Sequence, residues 1–214
     1  ENLISAVEIA AAKGHDGHAR VPEVCICFDS HLLRGNRCIK SDAGTFNAFS
    51  SPNYPSLAEA GISIVYNDLL VRRTENAPFA INTSLDTRVS ILKLHPGITP
   101  QVVRDIMLGS DTRAVIIETY GSGNAMSKEW FNAIIRQSAA MGKILVNVTQ
   151  CAAGFVDMAI YANGRGLGQA GVISGHDMTT EAALGKLFFL MGQTDDNELV
   201  KRQLELDMRG ELTL

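Results

Sequence analysis

Nowhere in this 214-residue sequence do apolar side chains run on for the roughly 20 positions that a membrane-spanning helix needs. Its first residues show neither the apolar stretch of a secretory signal nor the arginine-rich pattern of a transit peptide, so no membrane association is expected. The four cysteines, Cys25, Cys27, Cys38 and Cys151, include no C-x-x-C pair and none lies at ligand spacing from a histidine, which gives no indication of zinc or any other metal. They are read as reduced thiols packed like small apolar residues in a cytoplasmic protein. A formal net charge of -4 with no Lys/Arg block offers no concentrated basic surface, and nucleic acid is not expected as a partner. The phosphate-binding patterns are missing too. Neither the Gly-Lys-Ser/Thr ending of a Walker loop nor the spaced glycines of a dinucleotide site occurs, and no cofactor is expected.

What is present is a globular balance, 46% hydrophobic and 20% charged, at a length that bounds the chain to one domain or two. Two are expected. Leu3, Ala6, Val7, Ala10 and Ala11 recur at helical spacing and predict an amphipathic helix ending near Gly14. Glu23 to Phe28 reads as a strand covered on both faces, His31 to Leu33 as a second short strand, and Arg34 to Arg37 as a turn. Pro52 and Pro55 interrupt regular structure, a short helix through Leu57 to Ala60 ends at Gly61, and Ile62 to Val65 resumes a strand. Asn67 to Thr87 mixes charge, Asn76 and Pro78 with little periodicity and is read as a connector, with a short strand around Phe79 to Ile81. The expected division is therefore 1–66, a linker over 67–88, and 89–214.

From Val89 the pattern becomes regular alternation. Strands are predicted at Val89 to Leu94, Ala114 to Glu118 and Ile144 to Asn147. Helices are predicted at Thr99 to Met107, Ser127 to Ala140, Asn163 to Ala170, Thr179 to Met191 and Asp195 to Arg209, with Thr99, Ser127 and Thr179 as capping residues. Parallel neighbours need a crossover, so this order predicts an α/β domain with a parallel sheet.

Several residues could carry chemistry at the C-terminal edge of such a sheet, where open α/β folds bind ligands. Lys40 follows the Arg34 to Arg37 turn; it is either a solvated surface lysine or, if held among less polar groups, a base. Tyr120-Gly-Ser-Gly-Asn124 links a strand to a helix, and its glycines permit a ligand to approach or simply make a tight turn. Cys151 could be a nucleophile, but no local histidine pairs with it and a buried thiol is the plainer reading. Asn163-Gly-Arg-Gly-Leu-Gly168 is read as helix packing through small residues, and His95 and His176 as loop or cap residues.

Taken together, Val21-Pro-Glu-Val, Leu33-Arg-Gly-Asn-Arg37 with Lys40, Ala48-Phe-Ser-Ser-Pro-Asn53, Tyr120-Gly-Ser-Gly-Asn124, Val146-Asn-Val-Thr-Gln-Cys151, Gly175-His-Asp-Met-Thr179 and Arg209-Gly-Glu-Leu-Thr213 resemble segments of the bacterial type I L-asparaginases and of the asparaginase region of related mammalian enzymes. Seven ordered matches at compatible spacing cover essentially the whole chain. The resemblance implies the end of a Rossmann-like N-terminal domain followed by a smaller C-terminal α/β domain, assembled as homodimers often paired into tetramers. It also implies hydrolysis of L-asparagine to L-aspartate and ammonia through a threonine acyl-enzyme.

Of the residues that handle protons in that family, Lys40 alone has a counterpart here. The family's nucleophile loop, of the T-G-G-T type, and the T-D segment of its second motif have no counterpart in this sequence and would lie upstream of Glu1, where the chain is read as an internal part of a longer protein. Asn124 matches an asparagine that reaches the substrate site of the partner subunit. At the positions of a known asparagine-binding regulatory site stand Ile39, which has no hydroxyl, and Glu118, which would repel a carboxylate; Cys151 keeps its matching place. A non-catalytic scaffold and an amidotransferase subunit remain the competing readings.

Overall fold

Between Val89 and the C-terminus, short apolar strands and amphipathic helices take turns, and their side-chain periods settle a layered arrangement. The computed structural model describes residues 2–45, 47–73, 80–160 and 162–214. The chain divides into two compact units, residues 1–82 and 83–214.

In the first unit, helix α1 (Asn2–Ala11) leads to a loop closed by a bridge between Lys13 and Ala19. Strands β1 (Cys25–Phe28) and β2 (His31–Arg34) form a hairpin. Its two loop residues, Asp29 and Ser30, both adopt left-handed backbone (φ 47° and 63°), which matches the twist of the paired strands. After one turn of 3-10 helix, the two-residue strands β3 (Ile39–Lys40) and β4 (Phe49–Ser50) pair antiparallel as a separate ribbon. Strands β5 (Ala58–Ala60) and β6 (Ile64–Tyr66) complete a four-stranded sheet of order β1-β2-β5-β6, antiparallel throughout. The resemblance had implied a Rossmann-like parent domain. The core of this unit is small: Ile9, Leu32, Leu57, Ala58 and Val71.

Two expectations fail here. The predicted helix through Leu57 to Ala60 is strand β5, because Pro55 and Gly61 leave too few residues for a helical nucleus while the Leu57 N–H donates to the Leu32 carbonyl (2.7 Å). All four residues of β1 are only half-buried, so it is not covered on both faces. The helix expected at the start of the chain is present as α1, with much of its apolar stripe in solvent: Leu3 is 77% exposed, and Ile9 is its buried residue. The strand anticipated around Phe79 to Ile81 falls partly outside the described residues; Ala80 and Ile81 have no regular structure.

The second unit is built on strands β7 (Val89–Lys93), β8 (Ala114–Thr119), β9 (Ile144–Thr149) and β10 (Ile173–Ser174), all parallel in the order β10-β9-β8-β7. Helices α2 (Pro100–Leu108), α3 (Glu129–Ala140) and α4 (Ala162–Gln169) are the crossovers, while α5 (Thr180–Gln193) and α6 (Asn197–Leu204) follow the last strand. Alternation along β8 sends Val115 and Ile117 into one cluster with Met107, Phe131 and Leu167, and Ala114 and Ile116 into the other with Leu187 and Val200. The crossover helices therefore cover one face, as right-handed connections between sequential parallel strands require, and α5 and α6 cover the other.

Thr99 and Thr179 cap their helices as predicted, accepting from the backbone N–H of Val102 and Ala182. Ser127 does not: α3 begins one residue later, with Lys128 at its cap and no side-chain cap bond. Helix α6 stops at Leu204 rather than near Arg209, since Lys186 takes the Leu204 and Leu206 carbonyls and Glu211 takes the next free N–H groups.

Candidate functional site

Arg34 and Arg37 are buried polar side chains in the first unit, 5% and 2% exposed. Burying a guanidinium demands a counter-charge and acceptors. Glu23 supplies the charge, pairing with Arg34 at 2.5 and 3.1 Å, and the Leu70 carbonyl accepts a further bond at 2.9 Å. Tyr54 lies under both cations, 4.3 Å from the Arg34 guanidinium and 5.0 Å from that of Arg37, and donates its hydroxyl to Leu70. The second Glu23 oxygen also accepts the N–H of Arg72 at 2.6 Å. This cage ties the sheet to the chain beyond β6 and fixes the point from which the β3–β4 ribbon leaves.

Lys40 stands on that ribbon, paired with Phe49, whose ring centroid is 5.0 Å from its ammonium. It is exposed, not enclosed by apolar groups within its own unit. Asp42, two residues on, has its carboxyl held below the usual range, first by the N–H of Gly44 and, as a smaller cause, by the Lys40 charge. Ile39 is half-buried opposite Ser50. The same unit has an open hollow of about 1020 Å³ around Lys13, His15, His18, Arg20, Asp68 and Arg73, none of them predicted site residues. Its charges are largely spent on each other, Arg20 and Arg73 both reaching Asp68.

In the second unit the predicted residues gather at the C-terminal edge of the parallel sheet. Glu118, 14% exposed on β8, is already engaged: Lys93 lies 3.2 Å from its carboxylate and the Thr180 hydroxyl donates to it at 2.8 Å. Gln150 binds the Glu118 and Leu94 carbonyls, anchoring the loop that carries Cys151. Cys151 is exposed, contrary to the buried thiol expected, because the chain leaves the sheet at Thr149 and turns outward, with the Cys151 N–H on the Thr149 hydroxyl. The other three thiols are half-buried or buried, and burial pushes Cys25 up to about 12 and Cys38 up to about 11.

The Tyr120 to Asn124 loop is closed by paired backbone bonds between those two residues, 2.8 and 2.9 Å. Gly121 and Gly123 take left-handed backbone there, and at Gly123 a Cβ would also strike Val156 and crowd the Asn147 amide. Asn147, fully buried on β9, accepts the Thr119 hydroxyl at 2.6 Å and donates to the Gly123 carbonyl at 3.3 Å. The Thr149 hydroxyl donates to Gly121 at 2.6 Å, so one residue secures both the Asn124 and Cys151 loops. Asn124 accepts at Oδ1 from the N–H of Ala125 and from Asn163. The supporting roles of Asn147 and Thr149 are foreshadowed only by polar residues toward the end of an otherwise apolar strand, and Asn163, expected in helix packing alone, also bonds to this loop. His95 and His176 are loop residues, and among the described residues no group of three or more His, Cys, Asp or Glu is placed to hold a metal.

A three-layer parallel unit preceded by a second, separate unit defines a class of two-part α/β protein with its loops collected at one sheet edge. Residues 88–204 match the domain family described as Glutaminase/Asparaginase C-terminal domain, and residues 1–72 the family described as Asparaginase, N-terminal. The chain belongs to the asparaginase family. Its fold superposes on L-asparaginase I from Vibrio cholerae with a TM-score of 0.90 at 41% identity, covering 100% of this chain and 62% of that one. The mouse 60 kDa lysophospholipase is 40% identical over 100% of this chain and 37% of its own length. A glutamyl-tRNA(Gln) amidotransferase subunit from Metallosphaera sedula is 36% identical over 98% of this chain and 48% of its own. This chain thus spans from about a third to three-fifths of these relatives.

Proposed function

We propose that the protein carrying this chain hydrolyses L-asparagine to L-aspartate and ammonia, with Lys40 as a proton carrier and the nucleophilic threonine on polypeptide upstream of Glu1. The observation that carries this reading is the whole-chain likeness to an L-asparaginase, in sequence and in fold alike. In the proposed reaction the threonine oxygen attacks the side-chain amide carbon, its proton passes through the group that includes Lys40 to the departing nitrogen, and ammonia leaves. Water then opens the acyl ester. An ammonium cannot accept a proton, so Lys40 must be enclosed by further groups from the upstream segment before it acts as a base. The exposed apolar face of α1, Leu3, Ile4 and Val7, fits a surface completed by such a segment.

Asn124 extends the site of the partner subunit in this reading, which makes the working unit a homodimer or a pair of dimers in the cytoplasm, where four unpaired cysteines are at home. No regulatory asparagine site operates: Ile39 offers no hydroxyl, and Glu118 presents a carboxylate already bound to Lys93 and Thr180. Asparagine saturation of the full-length protein is expected to be hyperbolic, and a sigmoidal curve contradicts this.

The decisive assay is ammonia release from L-asparagine by the full-length protein and its Lys40→Met variant. Loss of about 10²–10⁴-fold in kcat is expected for a proton-transfer group; turnover equal to the parent removes Lys40 from the mechanism. The amidotransferase likeness favours a second reading, an amidotransferase subunit, against which the net charge of -4 weighs. Ammonia release that requires aminoacylated RNA selects it, and a full-length protein inert in both assays selects a non-catalytic scaffold.

A further inference from the structure

We infer that Asn163 is a positioning residue that, together with the Ala125 N–H, holds the Asn124 amide with its oxygen inward, so that Asn124 offers N–H donors to a carboxylate or carbonyl oxygen of the amino acid. The inference rests on the reading of Asn124 as a substrate-site residue and adds the polarity of its contact. An asparagine side chain presents an oxygen at one end and an NH2 at the other, and only its neighbours decide the orientation.

Here two backbone groups of Ala125 decide it. The Ala125 carbonyl can only accept, and it takes a bond from Asn163 at 3.1 Å, so the Asn163 atom there is Nδ2. That same Nδ2 lies 3.3 Å from Asn124, where it needs a second acceptor, and Oδ1 provides it. The Ala125 N–H can only donate, and it reaches the same Asn124 oxygen at 3.0 Å. Both constraints point one way. The Asn124 oxygen is spent on the protein, while among the described residues its Nδ2 donates to no partner. The loop beneath is fixed by the buried Asn147 and by Thr149, so the free NH2 is carried on a rigid support rather than a mobile tip.

An isosteric exchange separates polarity from packing. In Asn163→Asp the carboxylate cannot donate to either acceptor; it opposes the Ala125 carbonyl and draws the Asn124 NH2 toward itself, turning the oxygen outward. Asn163→Ala removes one constraint but leaves the Ala125 N–H on Oδ1. In the full-length protein, KM for L-asparagine is expected to rise about tenfold or more in Asn163→Asp and only about two- to threefold in Asn163→Ala, with kcat changed less than KM in both. A purely structural role gives the reverse order, since truncation then costs more than an isostere, and that order overturns the inference. Should Asn163→Asp fail to show a cooperative melt, Asn124→Asp takes its place: loss of the NH2 is expected to raise KM by about tenfold or more, and an unchanged KM overturns the inference. A parent protein that releases no ammonia from L-asparagine removes the functional reading itself and this inference with it.

Discussion

Lys186 and Glu211 carry opposite charges inside the second unit, 2.6 Å apart with side chains each 4% exposed. Burial alone would push the Glu211 carboxyl up, but the Lys186 hydrogen bond and the N–H groups of Met208 and Arg209 outweigh it and hold the carboxyl below its usual range. The ammonium is shared with the Leu204 and Leu206 carbonyls, so the pair fastens the C-terminal segment to α5. A buried pair adds little over an apolar substitute, yet removing one partner strands the other charge. Glu211→Gln is therefore expected to lower unfolding stability by about 3 kcal/mol at neutral pH in urea denaturation. Because the folded carboxyl titrates below the unfolded one, that difference holds above the ordinary glutamate value, about 4.3, and shrinks as pH falls through the folded value. A gap between parent and variant that stays constant into strong acid contradicts the assignment.

At the scale of elements, legibility follows how local the determining interactions are. The β-α alternation from Val89 onward was readable because the apolar period switches between strand and helix and because capping residues, Thr99-Pro100 and Thr179 among them, act within their own turn. Ala58–Ala60 was not readable, since its strand identity comes from β2 and β6, its partners across the sheet. The stripe on α1 was legible as a helix, but its exposure was not, since periodicity reports that a face is apolar and not that anything covers it. The candidate site was visible through motifs rather than periodicity. Nothing in Arg34-Gly-Asn-Arg37 announces two buried guanidinium groups around Tyr54, with Glu23 supplying the counter-charge; those bonds span up to 36 residues. The roles of Asn147 and Asn163 likewise arise only once β9 and α4 lie beside the Tyr120 to Asn124 loop.

At the scale of the whole molecule, the two units differ in how much apolar surface each withdraws from water. Among the described residues, clusters of fifteen and fourteen buried side chains line the two faces of the parallel sheet, against five in the first unit. The first unit also leaves Leu3, Ile4, Val7, Ile62, Val65 and Leu69 exposed. Burial contributes on the order of 25 cal/mol per Å² of apolar area and must offset chain entropy of similar size, so a core this small, with this much uncovered apolar surface, cannot hold residues 1–82 folded alone. The lead-in to β7 belongs to the second unit: Asp86 binds Arg88 and Arg113, Ser84 binds the Gly192 carbonyl, and any Cβ at residue 192 would collide with the Ser84 backbone. Residues 83–214 produced alone are accordingly expected to unfold in urea with one sharp, cooperative transition, whereas residues 1–82 alone give none and bind a hydrophobic dye such as ANS. A cooperative transition from 1–82, or its absence from 83–214, would show that stability is not partitioned as the buried clusters are.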